Sequence, residues 1–341
     1  MSTRTRKNDH IRINLEEDVS FAGVTNGLER VRFVHQALPE LDLEKIDTST
    51  VLFGHRLSFP LLIASMTGGS TQAGAINRTL AEAAQHAGIG MGLGSGRVIL
   101  EHPETAETFQ VRQVAPDILL MANFGAVQLN YGYGVDACRR LVEMTEADGL
   151  YLHLNPLQEA LQPEGDTRFG GLLGKIEAVC RGLTVPVVVK EVGWGLSVRT
   201  ARMLIDAGVA ALDVAGAGGT SWSQVELHRQ EDPYAREVAA SFRNWGIPTA
   251  EAIKTVRDVD ATIPVIASGG LATGIDIGKC LALGANAATL AGVLLRAAAQ
   301  SPEALQRRIE TLHRQLRLTM FVTASPTVRA LRDAALMDAI S

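Results

Sequence analysis

Eight short apolar runs recur through the middle of the chain. They are LLIAS at 61–65, IGMGL at 89–93, ILLMA at 118–122, GLYLHL at 149–154, VPVVVK at 185–190, VAALDVA at 209–215, IPVIAS at 263–268 and ANAATLAG at 285–292. Unbroken apolarity, rather than alternation, is what a strand covered on both faces requires. Between the runs lie segments rich in alanine, leucine and charge, such as GAINRTLAEAAQHAG at 74–88 and SVRTARMLIDAG at 197–208. Both close on glycine, the residue that best tolerates the left-handed position ending a helix. Strands alternating with such helices predict a parallel sheet, and eight repeats predict a closed (β/α)8 TIM barrel rather than an open doubly wound sheet.

Two stretches fall outside the repeat. Residues 1–58 precede the first strand as an N-terminal extension, and residues 221–255 form a long insertion after strand 6, with its own Trp222, Phe242 and Trp245. Long barrel loops of this kind tend to be functional or covering elements. No low-complexity linker separates either from the barrel, so residues 1–341 are expected to form a single domain.

Composition narrows the function classes. Of 341 residues 46% are hydrophobic and 20% charged, which suits a large core and excludes disorder. The formal charge of -5 is spread along the chain without a basic stripe, which argues against nucleic acid. Cys138, Cys180 and Cys280 are odd in number and form no CxxC pair, so reduced thiols are expected rather than a disulfide framework or a structural zinc. The N-terminus lacks an apolar signal core, and the late run from Ala287 to Leu295 is too short to span a bilayer. These features predict a cytoplasmic protein with no membrane partner.

In a barrel of this type the chemistry lies at the C-terminal ends of the strands. The residues there are Ser65, Thr67, Ser95, Arg97, Asn123, His153, Gln158, Glu159, Lys190, Thr220 and Ser268. One polar residue closing a strand is ordinary loop chemistry; a whole ring of them is a presenting surface. After the last two strands come ASGGLATG at 267–274 and LAGVLLRA at 290–297, where glycines and a helix N-terminus suit an anionic group. Lys190 is open to three readings: a Schiff-base lysine, a partner for an anionic cofactor atom such as the N1/O2 edge of a reduced flavin, or a salt bridge to Glu191 or another neighbour. The early segment RKNDHIRI reads by itself as a solvated tail, unless the barrel holds a second phosphorylated molecule that needs cations. No nucleophile elbow, HExxH or cysteine cluster is present.

The pieces RKNDH, ASMTGGS, GLGSGR, NFG, HLNPLQE, KEVGWGLS, GAGGTSW, WGIPT and ASGGLATGIDIGKCLALGA follow one another from Arg6 to about Arg296. In order and spacing the chain resembles the type 2 isopentenyl diphosphate isomerases, FMN-dependent barrel enzymes of isoprenoid biosynthesis. The resemblance implies interconversion of isopentenyl and dimethylallyl diphosphate, by adding a proton at the terminal alkene carbon and removing one from C2. It implies FMN in its reduced form, Mg²⁺, NADPH as the flavin reductant, and a homo-oligomer, tetramer or octamer. Residue by residue, it makes Gln158, His153 and Asn155 the catalytic cluster and Glu159 the magnesium ligand. Arg6, Lys7, His10, Arg97, His153 and Gln158 become substrate-binding. Ser65, Met66, Thr67, Ser95, Asn123, Lys190, Thr220, Gly269, Gly270, Ala291 and Gly292 become the flavin set. The chain departs from the family in Gly96 for a common glutamine, Ala272 for a common arginine and Ala324 for a common glycine. Three alternatives stand beside this reading: an FMN oxidoreductase of the 2-hydroxy-acid or dihydroorotate type, a homologue acting on another prenyl diphosphate, and a flavin- or phosphate-binding barrel without catalysis.

Overall fold

The protein's structure, a computed structural model, describes residues 3–66 and 68–338, with side chains from Asp9 onward. Eight strands form the barrel: β1 (Leu61–Ile63), β2 (Gly90–Gly92), β3 (Leu120–Gly125), β4 (Gly149–His153), β5 (Val187–Lys190), β6 (Ala211–Asp213), β7 (Val265–Ala267) and β8 (Ala287–Leu290). Each pairs in parallel with the next, and β8 returns to β1 to close the ring. Every predicted run therefore holds all or part of one barrel strand; seven strands are shorter than their runs, and β3 starts two residues into its run and continues to Gly125. Proline explains two of the trims: Pro186 and Pro264 lack the N–H a ladder needs, so pairing starts at Val187 and Val265.

The helices follow their sequence signals. Ser70 Oγ accepts the N–H of Ala73 to start the helix Thr71–Ala87, which Gly88 ends at φ 64°. The helix Val198–Asp206 opens in the same way on Ser197. After β2 the repeat is thin, with only the short helix Arg97–Glu101 and a 3₁₀ stretch, Pro103–Phe109.

The insertion differs from expectation in extent and content. It is helical, with segments Trp222–Arg229 and Pro233–Ser241, and it stops at Pro248, because Thr249–Val259 is the barrel's own sixth helix. Residues 249–255 thus belong to the repeat. The segment RKNDHIRI is not a solvated tail: it lies within the helix Thr3–Glu16, where Ile13 joins Val19 and Val225 in a buried cluster with Trp222 against it. The N-terminal extension also contains an antiparallel hairpin, Thr50–Leu52 with His55–Leu57, turning at Gly54 with φ 83°. Its Leu52 and Leu57 are buried with Leu62, Leu119, Met121, Tyr151, Val188, Ala211, Ile266 and Ala287, the apolar filling of the barrel's lower half. The strand Val31–Phe33 pairs with Leu336–Asp338, joining the two ends of the described chain. Cys138, Cys180 and Cys280 are free, and burial raises all three thiols. No described helix is long and apolar enough to cross a membrane.

Candidate functional site

Side chains two apart on a strand share a face. The inward apolar set of Met121, Tyr151, Val188, Ala211, Ile266 and Ala287 is therefore continued upward by Asn123, His153, Lys190, Asp213, Ser268 and Thr289. One step along each strand changes the interior from apolar to polar. Strand register sets His153, Lys190 and Asp213 side by side on β4, β5 and β6. His153 Nδ1 lies 2.8 Å from Asn123 Oδ1, which fixes the imidazole as the donor there.

Lys190 settles one of its open readings. Its Nζ donates to the backbone carbonyl of Glu191 at 2.5 Å, not to that residue's carboxylate. Glu191 Oε2 is turned instead to the N–H groups of Val192, Gly193 and Trp194 at 2.7, 2.7 and 2.5 Å. The charged neighbour of Lys190 inside the barrel is Asp213. Ser268 Oγ donates to Asp213 Oδ1 at 2.5 Å, while Oδ2 is buried without a partner. Burial pulls Lys190 below its ordinary value, against the attraction of Asp213 and Glu191, and pushes Asp213 up against that of Lys190.

A second polar array begins where β4 ends. Asn155 caps the helix Pro156–Leu161, whose first turn presents Gln158 and Glu159. Asn155 Nδ2 donates to Gln158 Oε1 at 3.1 Å and Glu159 Oε1 at 2.9 Å. Gln158 Nε2 donates to Glu226 Oε1 at 3.0 Å, and His10 Nε2 meets the same oxygen at 3.1 Å. Arg229 completes Glu226 through Oε2 at 2.6 Å and also holds Glu164 at 2.8 Å. On the other side Glu159 Oε2 accepts the Asp166 N–H at 2.7 Å, and Asp166 Oδ2 accepts from Arg97 at 2.7 Å and Gln128 at 2.8 Å. Arg97 also pairs with Glu101 at 2.6 Å. One chain of hydrogen bonds therefore runs from Arg97 through Glu159, Asn155 and Gln158 to His10. Burial raises Glu226, but His10, Gln158 and Arg229 outweigh it and hold the carboxyl below its ordinary range.

The remaining expected residues lie around this mouth. Ser65 Oγ is buried without a hydrogen-bond partner just above β1, and Met66 follows it half-buried. Ser95 follows β2, half-buried. Thr220 Oγ1 donates to Asn14 Oδ1 at 3.3 Å, tying the loop after β6 to the N-terminal helix. Gly269 and Gly270 have φ of 106° and 72°, and added side chains there would strike the backbone of Gly216 and Gly218. The Gly269 and Gly270 carbonyls bond to Thr249 at 2.6 Å and Asn26 at 2.8 Å. Their N–H groups have no acceptor among the described residues. Ala291 and Gly292 open the helix Gly292–Gln300. Thr67 and the side chains of Arg6 and Lys7 lie outside the described residues.

Three groups central to this geometry, Asp213, Glu226 and Arg229, are absent from the residues that the sequence singles out. Counting in twos along VAALDVA exposes Asp213 as inward. Glu226 carries no local signal, since it stands 68 positions from Gln158 and meets it through the packing of the helix Trp222–Arg229 on the helix Pro156–Leu161.

The residues present fit a flavin: an orphaned buried Ser65 hydroxyl, a glycine cradle with open N–H groups, and a half-buried lysine at the end of β5. They fit a hard cation in a limited way. Among the described residues no three His, Cys, Asp or Glu side chains converge, so Glu159 would need phosphate and water oxygens to complete a magnesium shell.

Known proteins resemble the chain over nearly its whole length. The family model of the FMN-dependent dehydrogenases matches residues 3–112 and 166–338. The isopentenyl-diphosphate delta-isomerase of Nostoc sp. is 53% identical over 332 residues, covering 97% of this chain and 95% of its own. Its counterpart in Rickettsia felis is 52% identical over 329 residues, with 96% and 95% covered. That of Synechococcus sp. is 54% identical over 327 residues, with 96% and 94% covered. Among solved structures, a mandelate oxidase variant with benzaldehyde superposes with a TM-score of 0.70 at 21% identity, covering 99% of this chain and 95% of its own. That likeness speaks for the barrel alone.

Proposed function

The chain belongs to the isopentenyl-diphosphate delta-isomerase family of enzymes, built on the barrel of the FMN-dependent dehydrogenases, and from that premise we propose that it interconverts isopentenyl and dimethylallyl diphosphate with reduced FMN and Mg²⁺. The observation that carries the reading is the hydrogen-bonded array of His10, Glu226, Gln158, Asn155 and Glu159, set beside the strand bearing Lys190. It joins a carboxylate suited to a metal, an imidazole and a second, buried carboxylate within one mouth.

Bound in its reduced form, FMN supplies an electron-rich ring whose N5 edge can exchange a proton near the alkene. The flavin set is Ser65, Met66, Thr67, Ser95, Asn123, Lys190 and Thr220, with Gly269, Gly270, Ala291 and Gly292 at its phosphate. Lys190 offers a half-buried positive charge to the anionic pyrimidine edge. His153, oriented by the bond from its Nδ1 to Asn123, would meet a diphosphate oxygen as a donor in its protonated form. Arg6, Lys7, His10 and Arg97 complete the diphosphate grip; Arg97 would have to share its guanidinium with Asp166 and Glu101. Glu159 binds magnesium, and Asn155 aligns Glu159 and Gln158 by donating to both. Glu226, held as a carboxylate, accepts from Gln158 Nε2 and so sets which way that amide faces the reacting carbons. NADPH serves as reductant, and the chain works in the cytoplasm as a homo-oligomeric single-domain protein.

Proton NMR of isopentenyl diphosphate in D₂O with protein, Mg²⁺ and FMN, before and after anaerobic reduction, tests the reading. Dimethylallyl diphosphate carrying deuterium, formed only after reduction, is expected. Stoichiometric consumption of an electron acceptor with a 2-hydroxy acid or dihydroorotate would move the assignment to an oxidoreductase. Turnover of a different prenyl diphosphate would move it to another substrate.

A further inference from the structure

The turn SGGLATG after β7 carries no cation of its own. Two of its N–H groups are already used, since Ala272 and Thr273 both donate to Asp276 Oδ2, at 3.0 and 2.9 Å. Outside the turn, one arginine lies over the start of the helix after β8 and another reaches the turn's own backbone. Arg296, in the second turn of the helix Gly292–Gln300, folds back over the first residue of that helix: a Cβ built on Gly292 would stand 3.3 Å from its Nη1 and 3.6 Å from its Nη2. Arg308, on the helix Pro302–Val322, donates Nη2 to the Ala272 carbonyl at 2.6 Å.

Arg296 has no ion pair or hydrogen bond among the described residues, and neither do the N–H groups of Gly292 and Val293. A guanidinium folded over the positive end of a helix is repelled by it, whereas an anion between the two is attracted by both. The arginine and the two open N–H groups stand where β8 ends, and β8 pairs with β7, whose following turn carries the open Gly269 and Gly270 amides; together these groups suit one dianion.

We propose that Arg296 is the side chain that binds the 5′-phosphate of FMN, with Arg308 holding the neutral turn through Ala272. The phosphate then draws its countercharge from the helix after β8 rather than from the turn after β7. This rests on the FMN reading of the barrel.

Riboflavin has the ring of FMN without the phosphate, so comparing the two isolates the phosphate contact. Affinities for both are measured by flavin fluorescence on the full chain freed of bound flavin. The chains compared are the unaltered protein, Arg296→Gln, Arg308→Gln, and Arg296→Gln combined with Ala272→Arg. Losing one charge-assisted contact to phosphate predicts a roughly tenfold or greater loss of FMN affinity in Arg296→Gln. Riboflavin affinity should stay unchanged, and Ala272→Arg should restore most of the loss by placing an arginine in the turn. Equal weakening of both flavins, or weakening of neither, overturns the assignment. So does a larger FMN-specific loss in Arg308→Gln than in Arg296→Gln. Failure of the underlying flavin reading looks different: the unaltered chain would then bind FMN no more tightly than riboflavin, or bind neither.

Discussion

At its lower end the barrel takes in Leu52 and Leu57 of a hairpin and fills with Met121, Tyr151, Val188 and Ala211. Two residues further along the same strands stand Asn123, His153, Lys190 and Asp213. Backbone geometry is the same at both levels; only the side chains differ. Below, burial of apolar surface stabilises the ring and little else is asked of it. Above, Asp213 sits fully inside the protein with Lys190 half-buried beside it, and one of its carboxylate oxygens lacks a partner. Such groups are costly to bury, and a barrel that carries them at one end only has concentrated that cost where a ligand can repay it.

The sharpest way to separate the ends is to change the upper one without disturbing the fold. Glu159→Gln keeps the size of the side chain, and Gln158→Asn keeps an amide but draws it back by one methylene from Asn155 and Glu226. Turnover of isopentenyl diphosphate should fall on the order of 10²- to 10³-fold, the range expected when a positioned catalytic group is lost. Bound flavin and the midpoint of urea unfolding should stay at their unaltered values. Full activity in both variants would remove these residues from the chemistry.

Glu226→Gln blurs the division, because Glu226 is at once part of the site and a buried ion partner. Its side chain is fully buried and its pair Arg229 almost so. Neutralising Glu226 leaves the buried Arg229 with Glu164 as its remaining carboxylate among the described residues, which should cost about 1–3 kcal/mol. The wild type should also show an acid sensitivity that the variant lacks. The folded value of Glu226 is depressed, so its contribution is present above the ordinary glutamate value of 4.5 and is lost as pH falls through the lower, folded value. Urea unfolding compared near neutrality and near pH 4 reads this directly. Equal acid sensitivity in the two proteins would mean that Glu226 is not held ionised by its neighbours.

The same contrast explains which features are legible in the amino-acid sequence. Strand runs such as VPVVVK and IPVIAS are legible because burial on both faces makes them continuously apolar, and a proline even marks where pairing begins. His153, Asn155, Gln158, Glu159 and Lys190 are legible because they directly follow such runs. Asp213 lies inside a run, in VAALDVA, where its charge looks like an interruption until the inward alternation is counted. Glu226 and Arg229 lie on a helix of the insertion, and only tertiary packing brings them to Gln158. The insertion's end is hard to place because Trp245 and Pro248 resemble loop chemistry, whereas Pro248 directly precedes the barrel helix Thr249–Val259.

Leu57→Ala probes the lower end alone. Leu57 is 1% exposed inside the apolar filling, so truncation leaves a cavity that the strands cannot close and should cost about 2–4 kcal/mol. Turnover per folded molecule and flavin affinity should be unchanged, since the polar level begins above Tyr151. A loss of activity exceeding the loss of folded protein would show that the two ends are coupled.

The smallest effect concerns the cover over the upper end. Asp18 accepts from the Ser20 N–H at 3.1 Å, from the Ser20 hydroxyl and from Arg243 at 2.6 Å, clipping the N-terminal segment to the insertion. Those bonds, from Ser20 first and Arg243 after it, hold the carboxyl down at about 2. Because the folded value is depressed, the clip is intact above the ordinary aspartate value of 3.8 and opens as pH falls from there toward about 2. Beside it, Ala22 and Gly23 donate to Asn244 Oδ1 at 3.0 and 2.8 Å, bonds that do not titrate. Amide exchange corrected for its intrinsic pH dependence should therefore show Ser20 losing protection as pH falls from 3.8 to about 2 while Ala22 and Gly23 keep theirs. Asp18→Asn should show the Ser20 loss already at neutral pH, with turnover nearly unchanged. Parallel loss at all three amides would mean that the whole cover lifts as a unit, and the polar end would then be closed by packing of the N-terminal helix rather than by this charge.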